Sequence, residues 1–214
     1  MANFLDRRAL KKILDVATAI RRADTAPSDD TAAAYVVRGQ KSPARQIRAL
    51  RALHAASVAA FGGHVGRETA DGLVAVFTAP LDAVRAGLHA IHADDLSSEF
   101  LTVPDCRVAV ARGAVSSVDG PAHYRDATGA AVDRAAHIVG RADAGGVVVE
   151  ESLFAELRSQ IEGYGDVEIA PAKKGRIPGL SMVTTISIKP LGLRPERERE
   201  YIDVDEQLRA KPRR

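Results

Sequence analysis

Residues 61–80, FGGHVGRETADGLVAVFTAP, decide the fold. The glycine pair Gly62 and Gly63 ends a helix. A short strand follows and runs to Asp71, where Asp71 and Gly72 make a tight turn. The apolar run 73–77 then forms a second strand. The stretch is thus a hairpin with a carboxylate at its tip. Asp71 has two readings here: an ordinary Asp-Gly turn residue, or an oxygen ligand for a divalent cation.

Working outward, residues 32–38 (AAAYVVR) form a buried strand, and Pro43 suits the first turn of a helix over 43–61. After the hairpin, a helix over 81–96 starts beyond Pro80. Residues 107–114 (RVAVARGA) alternate like a strand with one buried face. A helix over 128–141 ends before Gly145 and Gly146. Residues 147–150 form a strand, and Ser152 caps a helix over 152–161. Strands at 167–170 and 182–188 close the sheet. Strands and helices mixed in this way imply an α+β or α/β sandwich.

The chain has 214 residues and suits one domain with extensions. Residues 1–31 hold an amphipathic helix over 3–22 and a polar linker, ADTAPSDDT. Residues 32–188 form the body, and residues 189–214 are a tail rich in Arg and Glu. Hydrophobic residues make up 46% and aromatics only 4%, so Ala, Val, Leu and Ile must build the core. A net charge of +2 argues against a nucleic-acid partner. The single cysteine, Cys106, excludes an internal disulfide and favours a reducing compartment. There is no apolar run of about 18 residues to span a membrane. The N-terminus contains acids, unlike a secretory signal. A cytoplasmic protein is expected.

The hairpin resembles the metal-carboxylate hairpin of the class III nucleotidyl cyclases, the adenylate and guanylate cyclase family. Arg67 stands at that family's base-reading Lys and Asp71 at its second metal-binding Asp. RVAVARGAV resembles the family's central strand, YRDATGAAVDRAAHIVGRADAGGVVVEESL its most diagnostic helix, and KKGRIPG its closing Lys-Gly turn. The resemblance covers about 150 residues, with the motifs in order. It implies an α+β cyclase-like fold, a mixed β-sheet flanked by helices. It also implies pairing with a second copy or a related cyclase-domain chain, and a nucleoside triphosphate as ligand.

Carried over by position, Asp126 falls at the base-reading acid and Lys174 at the terminal-phosphate Lys. Other positions depart from the pattern. Val36 replaces the first metal Asp, Asp133 replaces the transition-state Asn, and His137 replaces the Arg. Asp29 and Asp30 are candidate displaced carboxylates. An active enzyme of this family would need Mg²⁺ or Mn²⁺ to neutralise phosphate charge. A carboxylate at Asp133 repels an anionic transition state by roughly 4 kcal/mol at ~4 Å and an effective dielectric of ~20. That is about three decades of rate. The loss of a fixed cation at His137 works in the same direction, though the two penalties need not add.

The expectation is a degenerate cyclase homology domain: inactive or weak, dimeric, nucleotide-binding or regulatory. The alternative is an active divergent cyclase with an altered site; a scaffold without ligand is weaker. Simpler readings stand beside these. Asp133 and His137, four apart, make an ordinary exposed helix pair. His54, His64, His89, His92 and His123 lack ligand spacing and read as surface residues. Cys106 reads as core. Residues 45–51 read as a solvated Arg-rich face, and Lys173–Lys174–Gly175–Arg176 as a soluble loop or a phosphate site.

Overall fold

A computed structural model describes residues 33–39, 43–97, 106–116, 126–162, 167–177, 179 and 181–191. The helix expected over 3–22, Asp29, Asp30, His123 and the tail beyond residue 191 lie outside the described residues. Among them, eight strands form one sheet, ordered β2-β3-β1-β4-β5-β8-β6, with β7 paired to β8. The strands are β1 (Ala33–Gly39), β2 (His64–Glu68), β3 (Gly72–Phe77), β4 (Cys106–Arg112), β5 (Gly146–Glu150), β6 (Val167–Ile169), β7 (Lys173–Arg176) and β8 (Met182–Pro190). Only β4 and β5 run parallel; the other pairs are antiparallel. The helices are α1 (Ala44–Ala60), α2 (Pro80–Ser97), α3 (Ala130–Ile138) and α4 (Glu151–Glu162), and a 3₁₀ turn, Val139–Arg141, continues α3.

The strand period of two sorts each strand between two cores. Tyr35, Val37, Leu73, Phe77, Val108 and Val147 pack with Leu50, Val84, Phe154 and Ile161 under α1, α2 and α4. Ala34, Val36, Val74, Val76, Ala109 and Val148 pack with Ala131, Val132, Ala135 and Ile138 of α3. The central strand is therefore covered on both faces: Val108, Ala109, Val110 and Ala111 are all buried. The one-sided alternation expected over 107–114 fails because small residues, Ala109 and Ala111, carry the second face. A strand of Ala and Val cannot signal by polarity which side meets solvent.

The hairpin lies where the sequence put it. Thr69 N donates to Gly72 O at 2.9 Å, closing the turn around Asp71. Four details differ. The fourth helix begins at Glu151, so Ser152 lies inside it rather than capping it. The Lys-Gly segment 173–176 is strand β7, and the turn falls beyond it, at Gly179, which takes φ +81°. The helix expected over 128–141 is shorter, with its last turn tightened to 3₁₀. Strand β8 continues through Lys189 to Pro190, past the boundary read from composition.

His54 is the main correction. It is fully buried on α1, not a surface residue. Its Nδ1 meets the Tyr35 hydroxyl, and its Nε2 lies 3.5 Å from Cys106 Sγ. Burial pushes the Tyr35 hydroxyl well above its usual value, so it stays protonated and donates to Nδ1. Burial also pushes His54 down to about 3, so the ring is neutral at pH 7. The sequence held a signal for this. His54 continues the apolar stripe of Ile47 and Leu50 at helical spacing. His89 is half-buried and bonds Ser57 Oγ at 3.0 Å; His64 is exposed, as read.

Candidate functional site

Two antiparallel pairings bring the end of β1 beside the hairpin turn. Arg38 lies opposite Gly72 of β3 and opposite Arg107 of β4. Gly39 N donates to Asp71 O at 2.8 Å, tying strand end to turn. Gly72 is required here: a Cβ on it would stand 1.9 Å from Val37 O. From α1, Arg51 reaches over the turn. Its Nε donates to Gly72 O at 3.0 Å, its Nη1 meets Glu68 Oε2 at 3.0 Å, and its Nη2 donates to Thr69 O. Arg51 was read only as part of a solvated face. It clamps the hairpin, and no local pattern could announce a partner 21 residues away.

Asp71 sits at the tip, half-exposed. Its Oδ1 accepts from Thr69 Oγ1 at 3.0 Å, and its Oδ2 lies 3.9 Å from Arg38 Nε. Val36, the position aligned with a first metal carboxylate, is 4% exposed and packed between Val74 and Ala109. Among the described residues no group of three His, Cys, Asp or Glu could hold a metal ion. Among the described residues the donor set here is one carboxylate, with one oxygen bonded to a hydroxyl and the other facing a guanidinium. It does not fit a two-metal centre.

The backbone of Asp126 meets β2 beside Arg67. Arg67 is exposed on β2, next to a bulge between Val65 and Arg67. Asp126 N donates to the oxygen of Gly66, Arg67's neighbour, at 2.9 Å. Asp126 takes φ 55°, a left-handed conformation that Asp tolerates better than most residues. From there the chain pairs with Ser116 through Thr128, and Gly129 turns it into α3. A Cβ on Gly129 would lie 2.6 Å from Ala114 O, so only glycine fits that approach.

Asp133 and His137 are both exposed on α3. They do not form the side-chain pair considered from their spacing. His137 Nδ1 meets the Asp133 backbone oxygen at 2.5 Å, and Arg134 pairs with Glu150 instead. The other side of the His137 ring lies against the β7–β8 turn, where a Cβ on Gly179 would be 2.5 Å from Nε2. One turn on, the Arg141 guanidinium lies over Gly175, whose Cβ would come within 2.1 Å of Nη2.

Lys174 is separated from this cluster. Gly175 pairs with Val183, which belongs to the core under α3. Gly175 therefore faces α3, and Lys174, one residue earlier, projects to the opposite side. Along β7, Arg141 and Lys173 are cations on the α3 side. Lys173 Nζ bonds Asp143 Oδ1 at 2.7 Å. That hydrogen bond holds the Asp143 carboxyl below its usual range, and the field of Lys189 and Arg107 adds to it.

No family model matches the sequence, and no curated protein matches it. Solved structures do match. The adenylate/guanylate cyclase/hydrolase from Silicibacter pomeroyi aligns over 75% of this chain and 97% of its own, at 17% identity and TM-score 0.58. Adenylate cyclases from Trypanosoma brucei in their monomeric state align over 78% and 91%, at 15% identity and TM-score 0.60. The guanylate cyclase domain of RhGC from Catenaria anguillulae, in complex with GTP, aligns over 76% and 97%, at 14% identity and TM-score 0.55. The chain has the class III cyclase fold. At these identities the likeness concerns the fold, and residue roles must be argued from this chain's own side chains. No helix among the described residues is long and apolar enough to cross a membrane.

Proposed function

We propose that the chain is a degenerate cyclase-fold domain that binds a nucleoside triphosphate and converts it poorly or not at all. In this proposal it acts as a dimeric regulatory module, with itself or a related chain, in the cytoplasm. The observation that carries the proposal is Val36. An apolar side chain, 4% exposed, holds the position where a first metal carboxylate would stand. Asp133 supports it by adding negative charge beside a phosphate that must gain charge in the transition state. Arg67 and Asp126, whose backbone bonds Gly66 next to Arg67, are the proposed base-reading pair. Lys174 remains a candidate for a terminal phosphate only if the ligand reaches the far side of β7.

The alternative is an active divergent cyclase acting on an unusual triphosphate with Mg²⁺ or Mn²⁺. Asp71 favours it, since a carboxylate at the hairpin tip is retained. Product analysis after incubation with all four triphosphates and Mn²⁺, beside Asp71→Ala, separates the two. Little or no cyclic product is expected from the wild type. Turnover near 1 s⁻¹ or above, on the usual enzyme scale, would establish the alternative. Turnover that is weak, Mn²⁺-dependent and abolished by Asp71→Ala would mark a crippled site. The triple change Val36→Asp, Asp133→Asn and His137→Arg should raise activity if only these groups are missing, since groups acting as a unit are strongly non-additive. Its fold must be checked, because Val36→Asp puts a carboxylate among Val74 and Ala109.

A further inference from the structure

The poor fit of a two-metal centre at the hairpin has a positive counterpart two residues along β1. Strand residues two apart share a face. Arg38 therefore stands on the same face as Val36, at the exposed end of the strand, with its Nε 3.9 Å from Asp71 Oδ2. Where a two-metal site would draw a carboxylate from this strand, the strand supplies a cation. Arg107 lies directly opposite Arg38 in β4. Like charges facing each other across strands repel; among the described residues Asp71 stands against Arg38, and Asp143 lies in the field of Arg107. Arg38 thus puts a fixed positive charge beside Asp71 before any ion binds.

The arrangement is also held in place. The Gly39–Asp71 backbone bond, the close approach at Gly72 and the Arg51 clamp fix strand end and turn together. At 3.9 Å the Arg38–Asp71 approach is longer than a hydrogen bond. Among the described residues no hydrogen bond takes the donors of this guanidinium fork, which can therefore meet an incoming anion. A planar, permanently charged fork suits phosphate oxygens, which it can bind in pairs.

We propose that Arg38 takes the place of a divalent cation at Asp71, so that this rim holds a polyphosphate, free or on a nucleotide, without metal. The proposal rests on the reading that the chain binds a triphosphate, and the test separates the two. Binding of ATP, GTP and inorganic tripolyphosphate to the full chain is measured by calorimetry, in EDTA and in excess Mg²⁺. Wild type, Arg38→Gln and Arg38→Lys are compared, with thermal unfolding to confirm that each variant folds.

Wild-type affinity in EDTA should stay within about threefold of that in Mg²⁺, and Arg38→Gln should lose about tenfold or more in EDTA. Arg38→Lys, which keeps the charge but not the fork, should recover part of that loss. Tripolyphosphate binding as tightly as ATP would make the phosphate chain the ligand; tighter ATP would make it the nucleotide. Either result supports metal-free binding. A wild type that loses its ligand in EDTA, or an Arg38→Gln variant that binds as wild type does, overturns the proposal and leaves nucleotide binding standing. No binding of any of the three, with or without Mg²⁺, overturns both.

Discussion

The sheet face under α1, α2 and α4 and the face under α3 differ in what they bury. The first holds the large residues Tyr35, Phe77, Leu50 and Ile161, and a buried polar cluster, Tyr35–His54–Cys106, bonded internally. The second is made mainly of Ala and Val and is covered by a helix of 9 residues. Exposed charges stand at its edges: Arg38 at the end of β1 beside Asp71 of the hairpin turn, Asp133 and His137 on α3, Arg141 and Lys173 along β7. One face is closed and made for stability. The other is thin, built of small residues.

The largest expected effect follows from that contrast. Phe77→Ala on the first face should cost about 3–5 kcal/mol. Val76→Ala, its neighbour on the second face, should cost about 2 kcal/mol, from two lost methyl groups and a small cavity. Urea unfolding of both variants measures the asymmetry; equal losses would break the comparison.

The second effect is a pH dependence confined to the first face. His54 is neutral in the folded chain down to about pH 3, while an unfolded histidine takes a proton below about 6.5. Between those values the unfolded state binds more protons, so stability falls as pH falls through this window. From pH 7 to pH 5 the loss from His54 alone should be about 2 kcal/mol. The difference between wild type and His54→Gln, followed by urea unfolding at both pH values, isolates it from the carboxylates. A difference that does not change with pH would place His54 in contact with water.

Smaller effects belong to a turn and to the surface. Gly179→Ala forces a side chain toward the His137 ring at φ +81°, and should cost about 1–2 kcal/mol in unfolding free energy. Because the ring can swing away, the strain of the backbone should dominate. The smallest effect is expected at Arg112, whose two Nη groups bond the carboxylate of Glu156 on an exposed surface. Arg112→Ala should change stability by about 1 kcal/mol or less, and by less still at high salt.

Much of the fold is legible locally. The glycine pair at 62–63, the Asp71–Gly72 turn and the apolar runs beside them dictate a hairpin wherever they occur, because turn chemistry and strand period act over a few residues. The stripe through Ile47, Leu50 and Val58 dictates α1 in the same way. Val36, Asp71, Asp133 and His137 were all visible as candidates by position. What the sequence could not reveal was which of them meet. Arg38 reaches Asp71 only through the β1–β3 register, Arg51 reaches the turn only because α1 lies beside it, and Lys174 leaves the α3 side only because Gly175 faces Val183. His54 is buried only because Tyr35 and Cys106, from two other strands, satisfy its ring. Period and turn type are local properties of the chain. Register, helix placement and the partners of a buried polar group depend on segments far apart in sequence, and the packing of the whole sheet selects them together.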